Sequence, residues 1–326
     1  MRIVIPGGSG QIGQVLIRSL QARGDEVAVL SRAGRAEPGL PCRVVPWDGR
    51  TRGSWTQELE GADAVINLAG RSVNCRYSLA NVSEMLRSRV DSTLAVGAAI
   101  ERCDRPPRVW LQMSTATIYA HRFDAANDEA SGQIGGSEPD APRRWDFSVE
   151  IAKAWERALF QAKTPATRRV ALRSAVVLSA DPSLHLDLLL GLVRIGLGGR
   201  VAGGRHYVSW IHERDFVCAV ELLLAREDLE GAINLASPNP LPQREFMAAL
   251  RTAAGVPVGL PATGWMAEIG AFVLRTDTEL ILKSRRVVPG RLVDAGFAFE
   301  FPNWPAAARD LVTRRRVSPR ARREAA

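Results

Sequence analysis

Short apolar runs alternate with stretches of helical periodicity through the first half of the chain, and the same pattern returns later. Runs rich in Val, Ile and Leu predict buried strands, and apolar residues recurring every three or four positions predict helices between them. This alternation predicts a parallel sheet flanked by helices. The predicted strands cover residues 3–5, 26–30, 42–47, 64–70, 109–114, 169–176 and 231–236, and the predicted helices cover residues 14–23, 81–103 and 145–162.

The first predicted strand runs into a glycine cluster, and a predicted helix follows at once. Two spacings fit the cluster, Gly8-x-Gly10-x-x-Gly13 and Gly7-x-x-Gly10-x-x-Gly13. Glycine suits positive φ in a tight turn, close approach of a pyrophosphate to bare amides, and close packing of helix on strand. The alternative is an ordinary glycine-rich turn, which the strand, helix and second strand around the motif disfavour. The turn therefore predicts a dinucleotide site with contacts from Gly7, Gly10, Gln11, Ile12 and Gly13.

The end of the second predicted strand indicates which dinucleotide binds. A site for NAD places an acidic residue about 20 residues beyond the glycines, where it holds the ribose 2′-hydroxyl. This chain has Ser31 and Arg32 there, with Arg35 close behind and no carboxylate. Because a guanidinium makes strong bidentate contacts with phosphate, the pattern favours NADP(H) over NAD(H). The alternative is that Arg32 is a solvated surface arginine.

The next two strands should present their carboxyl ends to the same crevice. Small residues follow the strand at 64–70, where they would let a cofactor lie close to the backbone. A cluster of hydroxyl side chains, Ser114-Thr-Ala-Thr-Ile-Tyr119, follows the strand at 109–114, and Lys153 lies on the next predicted helix. The candidate cofactor contacts after the earlier strand are Asn67, Leu68, Ala69 and Gly70.

The formal net charge of +8 is concentrated at one end of the chain. Residues 313–326 contain six arginines and one glutamate, and therefore carry five of the eight excess positive charges. Such a segment is typically a solvated, disordered tail, so the charge does not indicate a specific nucleic-acid partner. Weak binding of RNA or a membrane surface through this tail is a third hypothesis.

Length and composition are those of a globular protein with one or two domains, since 46% of the 326 residues are hydrophobic and 24% are charged. No apolar run approaches the roughly 18 residues of a membrane span. A core strand begins directly after Met1-Arg2, which argues against a targeting peptide and predicts a cytoplasmic location. The four cysteines are widely spaced, so neither a metal site nor a disulfide framework is predicted.

Several motifs along the chain together resemble the extended short-chain dehydrogenase/reductases related to nucleotide-sugar epimerases. The narrower resemblance is to the atypical "epimerase family protein" subgroup with its characteristic C-terminal extension. The motifs are Gly7–Gly13, Asn67-Leu-Ala-Gly70, Ser114-Thr-Ala-Thr-Ile-Tyr119, Lys153-Ala-Trp-Glu156, Ser209-Trp-Ile-His212 with Asp215, and Val287-Val-Pro-Gly-Arg-Leu292 followed by Gly296-Phe-Ala-Phe299.

The resemblance implies a Rossmann-type doubly wound sheet with a smaller, mainly helical C-terminal region on the substrate side. It implies that Thr115 hydrogen-bonds a substrate oxygen and that Lys153 binds the nicotinamide ribose. The family's catalytic tyrosine should precede that lysine by four residues, but Val149 stands there. As the resemblance implies, this loss is usual in the atypical subgroup. Substitutes for the phenol are Thr115, Tyr119, a water held by Lys153, and His206, whereas His212 is expected to be structural.

Two functions follow from these expectations. The first is an NADP(H)-dependent oxidoreductase or epimerase that acts on a small carbonyl or hydroxyl substrate, including nucleotide-linked ones, as a monomer or homodimer. The second is a non-catalytic NADP(H)-binding sensor or assembly protein. The predicted organisation is an epimerase-like domain at 1–240, a substrate-side extension at 241–312 and the arginine-rich tail at 313–326. Loops at 124–144 and 184–206 would select the substrate.

Overall fold

The apolar runs and helical stretches form an α/β fold in a computed structural model, which describes residues 1–32, 42–138, 141, 145–181, 184–264, 266 and 279–324. The strands are β1 (Arg2–Pro6), β2 (Glu26–Ser31), β3 (Arg43–Pro46), β4 (Ala64–Asn67), β5 (Val109–Thr115), β6 (Arg168–Ser174), β7 (Val176–Leu178), β8 (Tyr207–Val208), β9 (Trp210–His212), β10 (Gly231–Leu235) and β11 (Leu241–Pro242). The helices in these ranges are α1 (Gln11–Ala22), α2 (Leu79–Ile100), α3 (Asp146–Phe160), α4 (Leu184–Arg194), α5 (Glu213–Ala225), α6 (Gln243–Ala254), α7 (Glu279–Leu282), α8 (Gly290–Asp294) and α9 (Trp304–Glu324).

Seven strands form one parallel sheet in the order β10-β6-β5-β4-β1-β2-β3. The chain steps outward from β1 to β3 and then returns to the other side of β1 to form β4. The strand order thus reverses between β1 and β4, and in such sheets ligands bind beyond the carboxyl ends of the strands at this point. The predicted Rossmann-type doubly wound sheet is confirmed.

Both faces of the sheet are covered, which explains why the central strands are continuous apolar runs. Side chains alternate along β1, so Ile3 and Ile5 pack on one side and Val4 packs on the other. On the first side, Leu16 of α1 and Phe216 of α5 belong to the core. On the second side, α2 and α3 pack over β4 and β5.

A third apolar cluster joins α4, α6 and α9. Trp304 stacks on Phe246 with ring centroids 4.1 Å apart, and its indole nitrogen donates to the Phe246 carbonyl at 2.8 Å. The expected smaller, mainly helical C-terminal region is therefore present. The predicted boundary at residue 240 stays a prediction, and Leu186 and Trp210, which precede it, belong to the same cluster.

The structure differs from expectation in the segment 184–206. Its first part is a helix, α4, and not the predicted substrate-selecting loop. The buried leucines Leu186 and Leu190 pack this helix into the third cluster. Among the described residues, no helix combines the length and apolar character needed to cross a bilayer.

The structure also differs from expectation in the predicted tail. Helix α9 continues through the start of residues 313–326, and side chains there form ion pairs. Arg314 lies 2.6 Å from the buried carboxylate of Glu213, and Arg315 makes a bidentate contact with Asp187 at 2.9 and 3.0 Å. These arginines bind acidic side chains and are not a disordered extension.

Candidate functional site

The glycine turn between β1 and α1 is held against the end of β4. Gly7 has φ of +75°, and a Cβ added there would lie 2.7 Å from the Ala69 nitrogen. A Cβ on Gly13 would lie 2.1 Å from the Gly8 carbonyl oxygen. Gly10 differs, because its nearest contact would be 3.7 Å away. Gly7 and Gly13 are therefore required by the fold itself, whereas Gly10 leaves open space in front of the helix.

The amino end of α1 faces this open space without a cap. Gly10 is the N-cap residue, no side chain caps the helix, and the first turn contains no acidic residue. Within the described part of the chain, the amides of Gln11, Ile12 and Gly13 have no hydrogen-bond acceptor. Uncapped amides and the helix dipole favour an anion at this position. The turn therefore fits the pyrophosphate of a dinucleotide.

The end of β2 lies directly beside the turn. The Gly7 amide donates to the Leu30 carbonyl at 2.9 Å, and the Ser31 hydroxyl donates to the Ser9 hydroxyl at 3.3 Å. Ser31 is buried, whereas Arg32 is exposed. Ser31 thus contacts the glycine turn, and Arg32 follows it at an exposed position. Arg35 lies outside the described residues.

Asn67 shapes the loop after β4. It is fully buried, its Oδ1 accepts from the Ala69 amide at 3.0 Å, and its Nδ2 donates to Gln112 at 2.9 Å. The Leu68 amide donates to the Pro6 carbonyl at 2.8 Å. Both polar atoms of the Asn67 side chain are therefore hydrogen-bonded within the protein. It holds Ala69 and Gly70 at the crevice, where their small size keeps the backbone accessible.

Thr115 ends β5 and begins the short 3-10 turn Ala116–Ile118, which packs against α3. The half-buried Thr115 hydroxyl accepts from the Thr117 amide at 3.1 Å, so its own proton can go to another acceptor. Lys153 lies on α3, where its ammonium donates to Glu150 at 2.9 Å. Val149, one helical turn earlier, is only 1% exposed and offers no polar group.

Tyr119 is a poor substitute for the missing phenol. Its hydroxyl donates to Asn234 at 3.0 Å and accepts from Arg173 at 2.9 Å. Arg173 in turn makes a bidentate salt bridge with Glu156, which also accepts from Ser114 at 2.6 Å. Burial raises the pKa of Tyr119, although the neighbouring guanidinium opposes the shift. This side chain belongs to a buried network that joins β5, α3, β6 and β10.

The two candidate histidines have different surroundings. His212 is fully buried, caps α5 by accepting from the Arg214 amide, and contacts Asp310 at 3.1 Å, so both ring nitrogens are engaged inside the protein. His206 is buried, and its Nε2 has no hydrogen-bond partner among the described residues. Burial and the nearby Arg285 guanidinium lower the pKa of His206 to about 4, so its imidazole is neutral at pH 7.

Sequence reasoning missed Arg89, which lies on α2 beside the loop after β4. Its Cγ would be 3.3 Å from a Cβ added at Gly70, and its guanidinium lies 5.0 Å from the centre of the Trp155 ring. One guanidinium nitrogen donates to the Met85 carbonyl at 3.0 Å. Burial lowers the pKa of Arg89 to about 10, so the half-buried guanidinium is still charged at neutral pH. The sequence holds no signal that separates it from surface arginines.

Sequence reasoning also missed two cations from the C-terminal region. Lys283 donates to the Thr117 carbonyl at 3.0 Å, and Nε of Arg285 donates to the Thr117 hydroxyl at 3.1 Å. Both therefore hold the 3-10 turn that Thr115 begins. Among the residues described, no cluster of His, Cys, Asp and Glu could hold a metal ion.

The parallel sheet, the switch point between β1 and β4 and the uncapped glycine turn define a dinucleotide-binding protein of the Rossmann type. Comparison with known proteins narrows this class. Residues 3–144 match the model of the NAD dependent epimerase/dehydratase family, and residues 262–311 match the domain of unknown function DUF1731.

Full-length relatives extend the likeness. Epimerase family protein SDR39U1 of Bos taurus is 33% identical over 318 residues, which are 96% of this chain and 100% of that protein. Epimerase family protein YfhF of Bacillus subtilis (strain 168) is 27% identical and covers 97% of this chain and 100% of its own. The crystal structure of human SDR39U1 (isoform 2) with NADPH has a TM-score of 0.81 at 28% identity and covers 96% of this chain and 99% of its own. The chain therefore belongs to the same family as these relatives, the epimerase family proteins.

Proposed function

We propose that this protein is an NADP(H)-dependent oxidoreductase or epimerase for a small carbonyl or hydroxyl substrate, including nucleotide-linked ones. The observation that carries the proposal is the uncapped amino end of α1 at the switch point of the sheet, with the exposed Arg32 beside it. The NADPH in the human relative's crystal structure supports the same cofactor here. When bound, the cofactor supplies or accepts a hydride.

The proposed roles follow from position. Gly7, Gly10 and Gly13 and the first amides of α1 hold the pyrophosphate, and Arg32 holds the 2′-phosphate. Lys153 binds the nicotinamide ribose. Ala69 and Gly70 leave the crevice floor open, with Asn67 positioning them.

Thr115 orients the reacting oxygen. Its hydroxyl accepts from the Thr117 amide and therefore keeps its proton for a substrate oxygen. Such a fixed donor stabilises the charge that develops on that oxygen during hydride transfer, and loss of one donor costs roughly 10²–10³ in kcat.

A non-catalytic NADP(H)-binding protein is the second candidate. The observation that favours it is Val149, which is buried at the position where the resemblance expects the catalytic tyrosine. General acid–base catalysis contributes roughly 10²–10⁴ in rate, so a site without a replacement for the phenol would turn over very slowly.

Steady-state turnover separates the two functions. Purified protein is assayed for NADPH oxidation and NADP⁺ reduction with a panel of carbonyl compounds, alcohols and sugar nucleotides. If the protein is an oxidoreductase or epimerase, the wild type should turn over a member of the panel. Thr115→Ala should lower that rate roughly 100-fold, whereas Thr115→Ser should largely retain it because serine keeps the hydroxyl. Tight NADPH binding without turnover across the panel would favour the non-catalytic protein.

A further inference from the structure

The segment that carries Lys283 is fixed inside the protein. The Ser284 amide donates to Nδ1 of His121 at 2.8 Å, and the Ser284 hydroxyl accepts from the Tyr207 amide at 3.1 Å. The Val287 amide donates to Ser209 at 2.8 Å. Ser284 and Val287 are fully buried. The C-terminal segment is thus bound to the loop after β5 on one side and to β8 on the other.

The Lys283 ammonium is buried with few partners. Its side chain is 2% exposed, and its nitrogen makes one hydrogen bond among the described residues, to the Thr117 carbonyl at 3.0 Å. The Glu279 carboxylate lies 3.8 Å away, beyond hydrogen-bond distance. An ammonium has three donors, and burying a charge is costly unless its donors are satisfied. Among the described residues, the ammonium therefore has donor capacity beyond the Thr117 hydrogen bond and the Glu279 ion pair.

Lys283 and Thr115 both form hydrogen bonds with the backbone of Thr117. The Thr117 amide donates to the Thr115 hydroxyl at 3.1 Å, and the Thr117 carbonyl accepts from Lys283. The Ser148 hydroxyl of α3 donates to Glu279. The cluster therefore reaches α3 at Ser148, the residue before Val149 in the sequence.

Several charged groups face the Lys283 ammonium. Arg285 and Glu279 come from its own segment, Glu138 comes from the loop before α3, and Asp146 comes from the first turn of α3. Burial first and then Arg285 lower the pKa of Lys283 to about 8, while the three carboxylates oppose that shift. Both protonation states of this amine are therefore populated near neutral pH.

We propose that Lys283, supplied by the C-terminal segment, is the proton-exchanging residue of the active site in place of the missing phenol. This inference rests on the proposed oxidoreductase function. In the reducing direction, the substrate carbon gains a hydride from NADPH, the C=O π pair moves to oxygen, and that oxygen takes a proton from the ammonium. NADPH is oxidised to NADP⁺, the carbonyl becomes an alcohol, and water reprotonates the neutral amine. Oxidation of an alcohol reverses each transfer.

The proton exchange can be observed directly because the chain has three lysines, Lys153, Lys163 and Lys283. Protein with ¹³C at lysine Cε gives three resonances, which Lys→Arg variants assign. We expect the Lys283 resonance to titrate about two pH units below the ordinary lysine value of about 10.4. A Lys283 midpoint at that ordinary value would overturn the proposal, whether or not turnover is found.

Turnover gives the second readout. In the reducing direction the wild-type rate should fall above pH 8, because the ammonium is then lost, and in the oxidising direction it should rise through the same range. Lys283→Met should lower kcat at least 100-fold while NADPH affinity stays close to wild type, and its melting temperature is measured alongside. Lys283→Arg keeps the charge but cannot exchange a proton at these pH values, so it should be equally slow. Lys163→Arg, at an exposed position, is the control and should behave as wild type.

Each negative result has a separate meaning. If wild type turns over and Lys283→Met retains its rate and pH profile, the role of Lys283 is refuted while the proposed function stands. If wild type binds NADPH but turns over nothing in the panel, the proposed function fails and the role of Lys283 fails with it. Loss of folding in Lys283→Met is detected by its melting temperature, and Lys283→Arg then decides the question.

Discussion

The substitution Gly10→Ala should separate cofactor binding from folding. Gly10 has φ of −74° and ψ of 168°, which alanine adopts without strain, and the added Cβ would find its nearest atom 3.7 Å away. Gly→Ala at such a position stabilises by about 0.4–1 kcal/mol through the unfolded chain. Glycine is preferred over alanine at an N-cap, which offsets that gain. The free energy of unfolding should therefore change by less than about 1 kcal/mol.

Cofactor affinity should change much more. The new methyl group occupies the space through which the pyrophosphate approaches the amides of α1. A hydrogen bond to a charged group contributes about 1.5–3 kcal/mol, so the loss of one raises the Kd of NADPH roughly 10- to 100-fold. Isothermal titration calorimetry measures the affinity, and thermal unfolding measures the stability. The matched control is Gly13→Ala, whose Cβ would lie 2.1 Å from the Gly8 carbonyl oxygen and should destabilise the fold itself. Wild-type NADPH affinity in Gly10→Ala would refute a pyrophosphate at this turn.

Three further predictions concern buried charge. Arg89→Met should raise the Kd of NADPH roughly 10- to 100-fold by calorimetry, because the guanidinium lies beside Gly70 in the proposed cofactor crevice. Exposed Arg87→Met should leave the Kd unchanged, and equal effects of the two substitutions would refute cofactor binding by Arg89. Glu156→Gln should cost about 3–5 kcal/mol in urea unfolding, because it breaks a buried salt bridge, against at most about 1 kcal/mol for the exposed pair in Glu150→Gln. His206 has a folded-state pKa of about 4, below its ordinary value, so the unfolded state binds the proton first on acidification. Wild type should therefore lose about 3 kcal/mol of stability between pH 6.5 and 4 that His206→Gln does not lose, and parallel pH curves would contradict this.

The sheet and the cofactor turn were predictable because their signals are local. The run Ile3–Ile5 is buried on both faces and reads as a continuous apolar strand, and β1 extends it by one residue at each end. The close packing of Gly7 and Gly13 requires glycine at those positions, so the spacing itself carries the information. The alternation of strands and helices predicts a parallel sheet, and in such a sheet the carboxyl ends of β4 and β5 lie at the same edge.

The rest of the site depends on contacts between distant parts of the chain. Lys283 meets Thr117 across 166 positions, and no periodicity in the sequence encodes that contact. Tyr119 ends a motif that the resemblance associates with catalysis, but Arg173 and Asn234 engage its hydroxyl only after β6 and β10 join the sheet. The same reason applies to Arg314 and Arg315 of α9, whose acidic partners Glu213 and Asp187 lie far away in the sequence.

Paired calorimetry of wild type and Arg32→Ala with NADPH and NADH is the most direct test of the proposed NADP(H) site. Wild type should bind NADPH more tightly than NADH. Arg32→Ala should raise the Kd of NADPH at least 10-fold and leave that of NADH nearly unchanged, because only NADPH carries the 2′-phosphate. Equal losses for both dinucleotides would contradict the role of Arg32, and no binding of either by wild type would contradict the site as a whole.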